Sequence, residues 1–373
     1  MKLGYLTHMR LPTEKAYGLQ MVNTVYHLSK EGVDATLIGT YSPNTITQDL
    51  WSYYGIPKNS FAYRSVWSLR FFRNTRIGFW INMLTFSLSA SVHILFSRYD
   101  ALYSREPFPL IFFGLLGKKT LYEMHDFPQK NHRFHSFLCR SVSHVAVTNE
   151  WARASCVREY GIREDKILLV PNGFDASKFQ GNMSKNEARK SLGLPLDKKI
   201  ILYSGHLYDW KGATVIFDVA KILTQYIFVF VGGSKKDHHD MEQGMRQDNV
   251  VFFEHQLPSS IPAYLASADV CVLPNLPLNS HSEYSTSPIK LFEYLASKRP
   301  VVASKLPSIT SVVSEKEVVF VEPGNVALWA EAINKVLLNP ALYDAVAEDA
   351  AVFVSRYSWK CKAERVIAHI LNT

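Results

Sequence analysis

Apolar residues along the chain fall into short runs of about four to six, bounded by Gly, Pro or Asn. Between many of them lie longer segments with apolar residues three and four apart. The short runs read as buried strands of parallel sheets and the longer segments as amphipathic helices. Leu3-Gly-Tyr-Leu6 is the first strand; a loop from His8 to Gly18 leads to a periodic run at Leu19, Val22, Val25, Tyr26 and Leu28, ended by Gly32. Further strands are predicted at 34–38, 101–104, 119–123, 144–148 and 167–173, and then at 199–204, 226–231, 250–253, 270–273 and 301–303. This strand–helix alternation predicts an α/β protein. At 373 residues the chain is too long for one core, and Pro171-Asn-Gly173 is the natural break between two doubly wound, Rossmann-like domains, 1–172 and 173–355. The run 79–97 carries no formal charge, but Asn82, Thr85, Ser87, Ser89, Ser91 and His93 make it polar for a membrane span, so it reads as a buried helix.

Charge changes the picture in one half only. The net charge is +8, and residues 1–172 hold 20 Lys/Arg against 12 Asp/Glu while the remainder holds 21 of each. Residues 50–99 contain no acidic side chain; Arg64, Arg70, Arg73 and Arg76 alternate there with Trp67 and other aromatics. Such a mixture suits an anionic membrane surface. A solvated basic face with its aromatics turned inward is the plainer alternative. Nucleic acid is not expected as a partner, since no reading module is present. The four cysteines form no Cys-x-x-Cys pair and the first residues show no leader pattern, so a cytoplasmic protein is expected.

Candidate chemistry concentrates in residues 285–304. Ser287 is a good N-cap and Pro288 a good first helical residue, predicting a helix to about Ala296 whose N-terminus faces an anion such as phosphate. Glu293 lies farther along, where a carboxylate can accept two hydrogen bonds from a sugar diol. Lys211, in a loop flanked by Gly205 and Gly212, can reach a diphosphate that bare backbone approaches. His125 lies just beyond a strand terminus, where open α/β sheets bind ligands. Gly18 at a helix start allows close approach of a ligand, and Lys15 can meet an anion. His238-His-Asp240 is read as a solvated loop. No Asp-x-Asp occurs, and neither a metal nor a cofactor is expected.

The segments Val170-Pro-Asn-Gly-Phe-Asp175, Gly205-His-Leu-Tyr-Asp-Trp-Lys-Gly212, Val231-Gly-Gly, Tyr264-Leu-Ala-Ser-Ala-Asp-Val270 and Ser287-Pro-Ile-Lys-Leu-Phe-Glu-Tyr-Leu-Ala296 resemble the retaining glycosyltransferases of family 4. Glu14-Lys-Ala-Tyr-Gly18 and Glu123-Met-His-Asp126 extend the resemblance toward the N-terminus. It implies the GT-B fold, with two domains facing a central cleft and residues 356–373 crossing back to the first domain. It further implies a nucleoside diphosphate sugar as donor, with Lys211 on the diphosphate, Glu293 on the ribose, and the Thr286–Ser287 backbone on phosphate oxygens. His125 would lie near the transferred sugar. His206 stands where the family often has Arg, and Ser285 where it has a second glutamate, with Glu283 nearby. Joined to the basic N-terminal half, this predicts transfer to a saccharide acceptor, polyprenyl-linked, at the inner face of a membrane. The competing readings are a nucleotide-sugar epimerase of the same fold and a non-catalytic membrane scaffold.

Overall fold

The computed structural model describes residues 1–41, 43–69, 75–128, 130–179, 181, 183–242 and 247–371. Arg70 and Arg73 lie outside them. The chain divides into two compact units, 1–172 with 359–373, and 173–358.

In the first unit, among the described residues, strands β1 (Lys2–Leu6), β2 (Asp34–Thr40), β3 (Ala62–Val66), β4 (Ala101–Ser104), β5 (Lys119–Met124), β6 (His144–Val147) and β7 (Ile167–Leu169) form one sheet. Between them run helices α1 (Ala16–Lys30), α2 (Leu50–Tyr54), α3 (Arg76–Ser97), α4 (Phe108–Leu115), α5 (His132–Arg140) and α6 (Glu150–Tyr160). All pairings are parallel and the order is β3-β2-β1-β4-β5-β6-β7, so the winding reverses between β1 and β4. β3 was not expected from the sequence: Ala62-Tyr-Arg-Ser-Val66 is an edge strand without a continuous apolar run.

The second unit contains α7 (Lys185–Leu192), β8 (Ile200–Ser204), α8 (Ala213–Ile222), β9 (Ile227–Val231), α9 (Lys235–Glu242), β10 (Val250–Phe253), α10 (Ile261–Ser267) and β11 (Val270–Leu273). It continues through α11 (Ile289–Ala296), β12 (Val301–Ser304), α12 (Pro307–Thr310), β13 (Val319–Val321), α13 (Val326–Leu338) and α14 (Pro340–Val354). Its parallel sheet has the order β10-β9-β8-β11-β12-β13, reversing between β8 and β11. Strands with both faces covered explain the apolar runs: every residue of β8, β11 and β12 is buried. The last helix, α15 (Trp359–Leu371), belongs to the first unit and buries Trp359, Ala363, Val366 and Ile370 there.

Three expectations are corrected. The predicted buried helix is α3, and most of its side chains are not buried; it packs through Met83, Phe86, Ala90 and Ile94 and leaves much of its apolar surface in solvent. The predicted loop at His238 is helix α9, in which His238 is buried, stacks on Phe252 at 4.7 Å and meets the Gly232 carbonyl at 2.6 Å. Finally, α11 begins at Ile289 with Pro288 as its cap, one residue later than expected. The cause is a π-helical turn, His281–Ser285, whose closure on the His281 carbonyl makes the chain cross an extended stretch before it can coil again.

Candidate functional site

In open parallel sheets ligands bind beyond the carboxyl ends of the strands where the winding reverses. In the second unit that point lies between β8 and β11, and the sequence after each strand is built for close approach. Gly205 takes φ +140°, and a Cβ there would lie 1.5 Å from Lys290 Nζ. Gly212 takes φ +67°, and its Cβ would strike the Pro274 carbonyl oxygen at 1.9 Å. Between them a 3-10 turn, Asp209–Lys211, carries Lys211, and the loop after β11 is fastened to this turn by the Leu276 amide donating to the Trp210 carbonyl at 2.8 Å. Trp210 also packs edge-on against His281 at 5.4 Å, which ties the turn to the segment leading into α11.

Two lysines converge here. Lys211 Nζ sits 3.8 Å from the centre of the Trp210 ring. Lys290, in the first turn of α11, reaches back over Tyr203 at 4.8 Å, and its buried amine has no hydrogen-bond partner among the described residues. Burial pulls the Lys290 ammonium down to about 7, opposed only by Glu293. Burial, and then the neighbouring Lys290, holds Lys211 well below the usual lysine range. Glu293, three residues beyond Lys290 on the same helix, is pushed up to about 7 by burial against the pull of Lys178 and Lys290, with Asp175 adding to the rise. Among the described residues neither amine has a carboxylate within ion-pair distance, and beside a helix whose first amides have no intrahelical acceptor the pair could hold a multiply charged anion. An arriving dianion would favour the charged form of both amines.

The first unit places a different group at the end of β5. Glu123 is fully buried and accepts hydrogen bonds from Gln20 Nε2 at 3.0 Å, from the Tyr103 hydroxyl at 2.5 Å and from Lys362 of α15 at 2.5 Å. His125 Nε2 meets the same carboxylate at 2.9 Å. Lys362 first, then His125, holds Glu123 well below the usual carboxylate range despite its burial. Burial, helped by Arg105, drops His125 to about 4, so its ring is neutral at physiological pH. With an ionised carboxylate on Nε2, the proton resides there and Nδ1 is left as an acceptor.

Both units match known families. The glycosyltransferase family 4 description matches residues 19–178, and the glycosyl transferases group 1 description matches residues 184–352. The chain belongs to the group 1 glycosyltransferases. A D-inositol 3-phosphate glycosyltransferase of Acidothermus cellulolyticus is 28% identical over 239 residues, covering 59% of this chain and 51% of that protein. The chain spans about half the length of the curated relatives it matches. Among solved structures, sucrose-phosphate synthase of Thermosynechococcus elongatus superposes with TM-score 0.80 at 16% identity, covering 99% of this chain and 98% of that one. Anabaena HepE in complex with UDP-glucose gives 0.77 at 17% identity, with 100% of both chains covered. These structural likenesses show the fold, which is GT-B.

Of the donor-side residues named for this group 1 family member, Gly205, His206, Lys211, Thr286, Ser287, Pro288 and Glu293 fall in the second unit. His206 stacks on Tyr208 at 5.1 Å. The expectation that the Thr286 amide faces phosphate is corrected, because its N–H and its hydroxyl both donate to the His281 carbonyl, at 2.9 and 2.7 Å. The opening amides of α11 are those of Ile289 and Lys290 instead. Glu283 lies in the π-helical turn and accepts a hydrogen bond from its neighbour Tyr284.

Gly18 is buried in the first unit, and a Cβ there would meet the Tyr54 hydroxyl at 2.1 Å, so the chain's own packing already excludes a side chain. Lys15 is the exposed N-cap residue of α1, Arg64 is exposed on β3, Trp67 is 57% exposed, and Arg76 opens α3. Sequence reasoning missed Lys290, although a lone lysine between Ile289 and Leu291, three residues before Glu293, is a legible signal. It also missed the Glu123–Lys362 pair, which nothing local connects.

Proposed function

We propose that this protein is a retaining glycosyltransferase that moves a sugar from a nucleoside diphosphate sugar to a lipid-linked saccharide acceptor at the cytoplasmic face of a membrane. The observation that carries the donor half is the pair of desolvated amines, Lys211 and Lys290, at the β8–β11 switch point with Glu293 beyond them. As the bond from the anomeric carbon to the diphosphate breaks, its electron pair passes to a phosphate oxygen. Lys211, Lys290 and the opening amides of α11 stabilise that charge. Glu293 accepts hydrogen bonds from the ribose hydroxyls. The acceptor hydroxyl loses its proton to the departing phosphate on the same face, so no protein base is assigned. In the first unit, His125, neutral and fixed by Glu123, presents Nδ1 as an acceptor for a sugar hydroxyl. That HepE was crystallised with UDP-glucose supports a nucleotide-sugar donor here.

A thermal-shift screen against UDP, GDP, ADP and dTDP tests the reading. One nucleotide at a hundred times its Kd should raise apparent stability by about 2.7 kcal/mol. The shift should vanish in Glu293→Ala; no shift with any nucleotide would sink the donor site. Because two lysines supply the charge, excess EDTA should leave turnover unchanged, and complete loss with EDTA, restored by Mg²⁺, would show that a metal is required. Product that carries the sugar on the acceptor separates transfer from epimerisation, which needs no acceptor.

A further inference from the structure

The outer surface of α3, α4 and α5 is a feature that the donor chemistry does not use. On α3, Ile77, Leu84, Leu88 and Leu95 recur along one side of the helix and are exposed, with Phe96 86% exposed beside them. The surface continues through Leu115 and Leu116 at the end of α4 and Phe137 on α5. The three helices cover the same side of the sheet, since Phe86 and Ala90 of α3, Leu110 and Phe113 of α4, and Cys139 of α5 share one core with the strands. Large apolar side chains exposed together on neighbouring helices are a candidate interaction surface.

We infer that the outer face of α3, α4 and α5 is seated in the headgroup boundary of an anionic bilayer, with the helices lying along the membrane. Charge selects this occupant. The three helices carry Arg76, Arg133 and Arg140 and not one carboxylate. A second copy of the same face would set like charges together, whereas anionic headgroups complement them. Trp67, in the basic stretch preceding α3, is joined to that helix by Ser89 Oγ donating to its carbonyl at 2.5 Å, which adds an interfacial aromatic. Although α3 is long and apolar enough to cross a membrane, Met83, Phe86, Ala90 and Ile94 are buried in the first unit's core, and spanning would strip them from it. A helix with one face in a protein core and the other apolar lies in the interface.

The geometry also gives the direction. Helices returning between parallel strands run opposite to them, so α3, α4 and α5 all begin at the carboxyl edge of the sheet. Their first turns form an aromatic chain: Trp80 meets Phe108 at 5.2 Å and Phe108 meets Phe134 at 6.2 Å. Phe79 packs on His8 at 5.3 Å, just beyond β1. That rim lies at the edge where β5 delivers His125. A lipid-borne acceptor would therefore present its saccharide at this edge, a clause that rests on the acceptor reading above; the docking itself does not.

The test uses the full chain with phosphatidylcholine vesicles, with and without phosphatidylglycerol. Wild type should sediment with the anionic vesicles, and Leu88→Glu with Leu95→Glu should weaken partition at least tenfold, roughly 1.4 kcal/mol or more. The nucleotide thermal shift and transfer to a water-soluble acceptor should stay unchanged. In wild type, brominated lipid should quench tryptophan fluorescence, and Trp80→Phe should reduce the quenching; this readout stands even where the double variant folds poorly. Equal partition of variant and wild type would overturn the inference, as would a wild-type dimer that the double variant dissolves, or protein that resists extraction by alkaline carbonate. Wild type that shows the thermal shift but does not sediment with the anionic vesicles counts against docking alone, while wild type that sediments without any shift counts against the donor site alone.

Discussion

Lys211→Ala should lower kcat/KM for sugar transfer by roughly 10²–10³-fold, the usual cost of removing one preorganised group that stabilises developing negative charge. The fall should appear mainly in kcat, because the diphosphate gains charge as it departs. Lys290→Met should produce a loss of the same order, since its amine is buried beside Lys211 with no other partner among the described residues. The double variant should lose less than the product of the two single effects, because Lys290 lies close enough to depress Lys211 and both act on one group. Protonation supplies an independent reading. With Lys290 held at about 7, a growing fraction of the free protein carries the neutral amine as pH rises, and a bound diphosphate would pull the proton back. Calorimetry in two buffers of different ionisation enthalpy should show net proton uptake on nucleotide binding near pH 8, reduced in Lys290→Met. Transfer by Lys211→Ala at the wild-type rate would exclude it from the diphosphate.

Lys362→Met should destabilise the first unit by about 3–5 kcal/mol, the range for breaking a buried ion pair from one side. The lysine and Glu123 are almost wholly inaccessible, and the methionine would leave the carboxylate with neutral donors alone. The pH dependence has a definite sign. Glu123 is held below its unfolded value, so its contribution is present above the unfolded carboxylate pKa and is lost as pH falls through the folded one. His125 is also depressed, to about 4, so its contribution is full above about 6.5 and declines as pH falls toward 4. Wild type should therefore lose stability on acidification below about pH 6.5. In Lys362→Met the Glu123 carboxyl should rise toward the ordinary range, so its loss begins at higher pH. Denaturant unfolding at several pH values measures both effects; a difference under about 1 kcal/mol at pH 7 would show that the network does not depend on the ion pair.

Much of this architecture is legible in the sequence because burial leaves a local mark. Strands covered on both faces must be apolar nearly throughout, and 270–273 and 301–303 announce themselves. The Pro171-Asn-Gly173 break, the unequal distribution of charge, Gly205 and Gly212 around Lys211, and Glu293 on its helix are likewise local patterns. What the sequence could not decide is what each residue faces. α3 is apolar on nearly every side, so periodicity cannot tell a core helix from one with an exposed face; only its packing against the sheet shows which side is covered. Lys290 reads as an ordinary helical lysine until folding sets its amine against Gly205, across 85 residues of chain. Glu123 and Lys362 are separated by 239 residues, and only the return of α15 to the first unit makes them a pair. Local patterning determined the elements and their order; the partners of the buried charges were decided by tertiary structure, because desolvation and pairing depend on distance in space and leave no period in the chain.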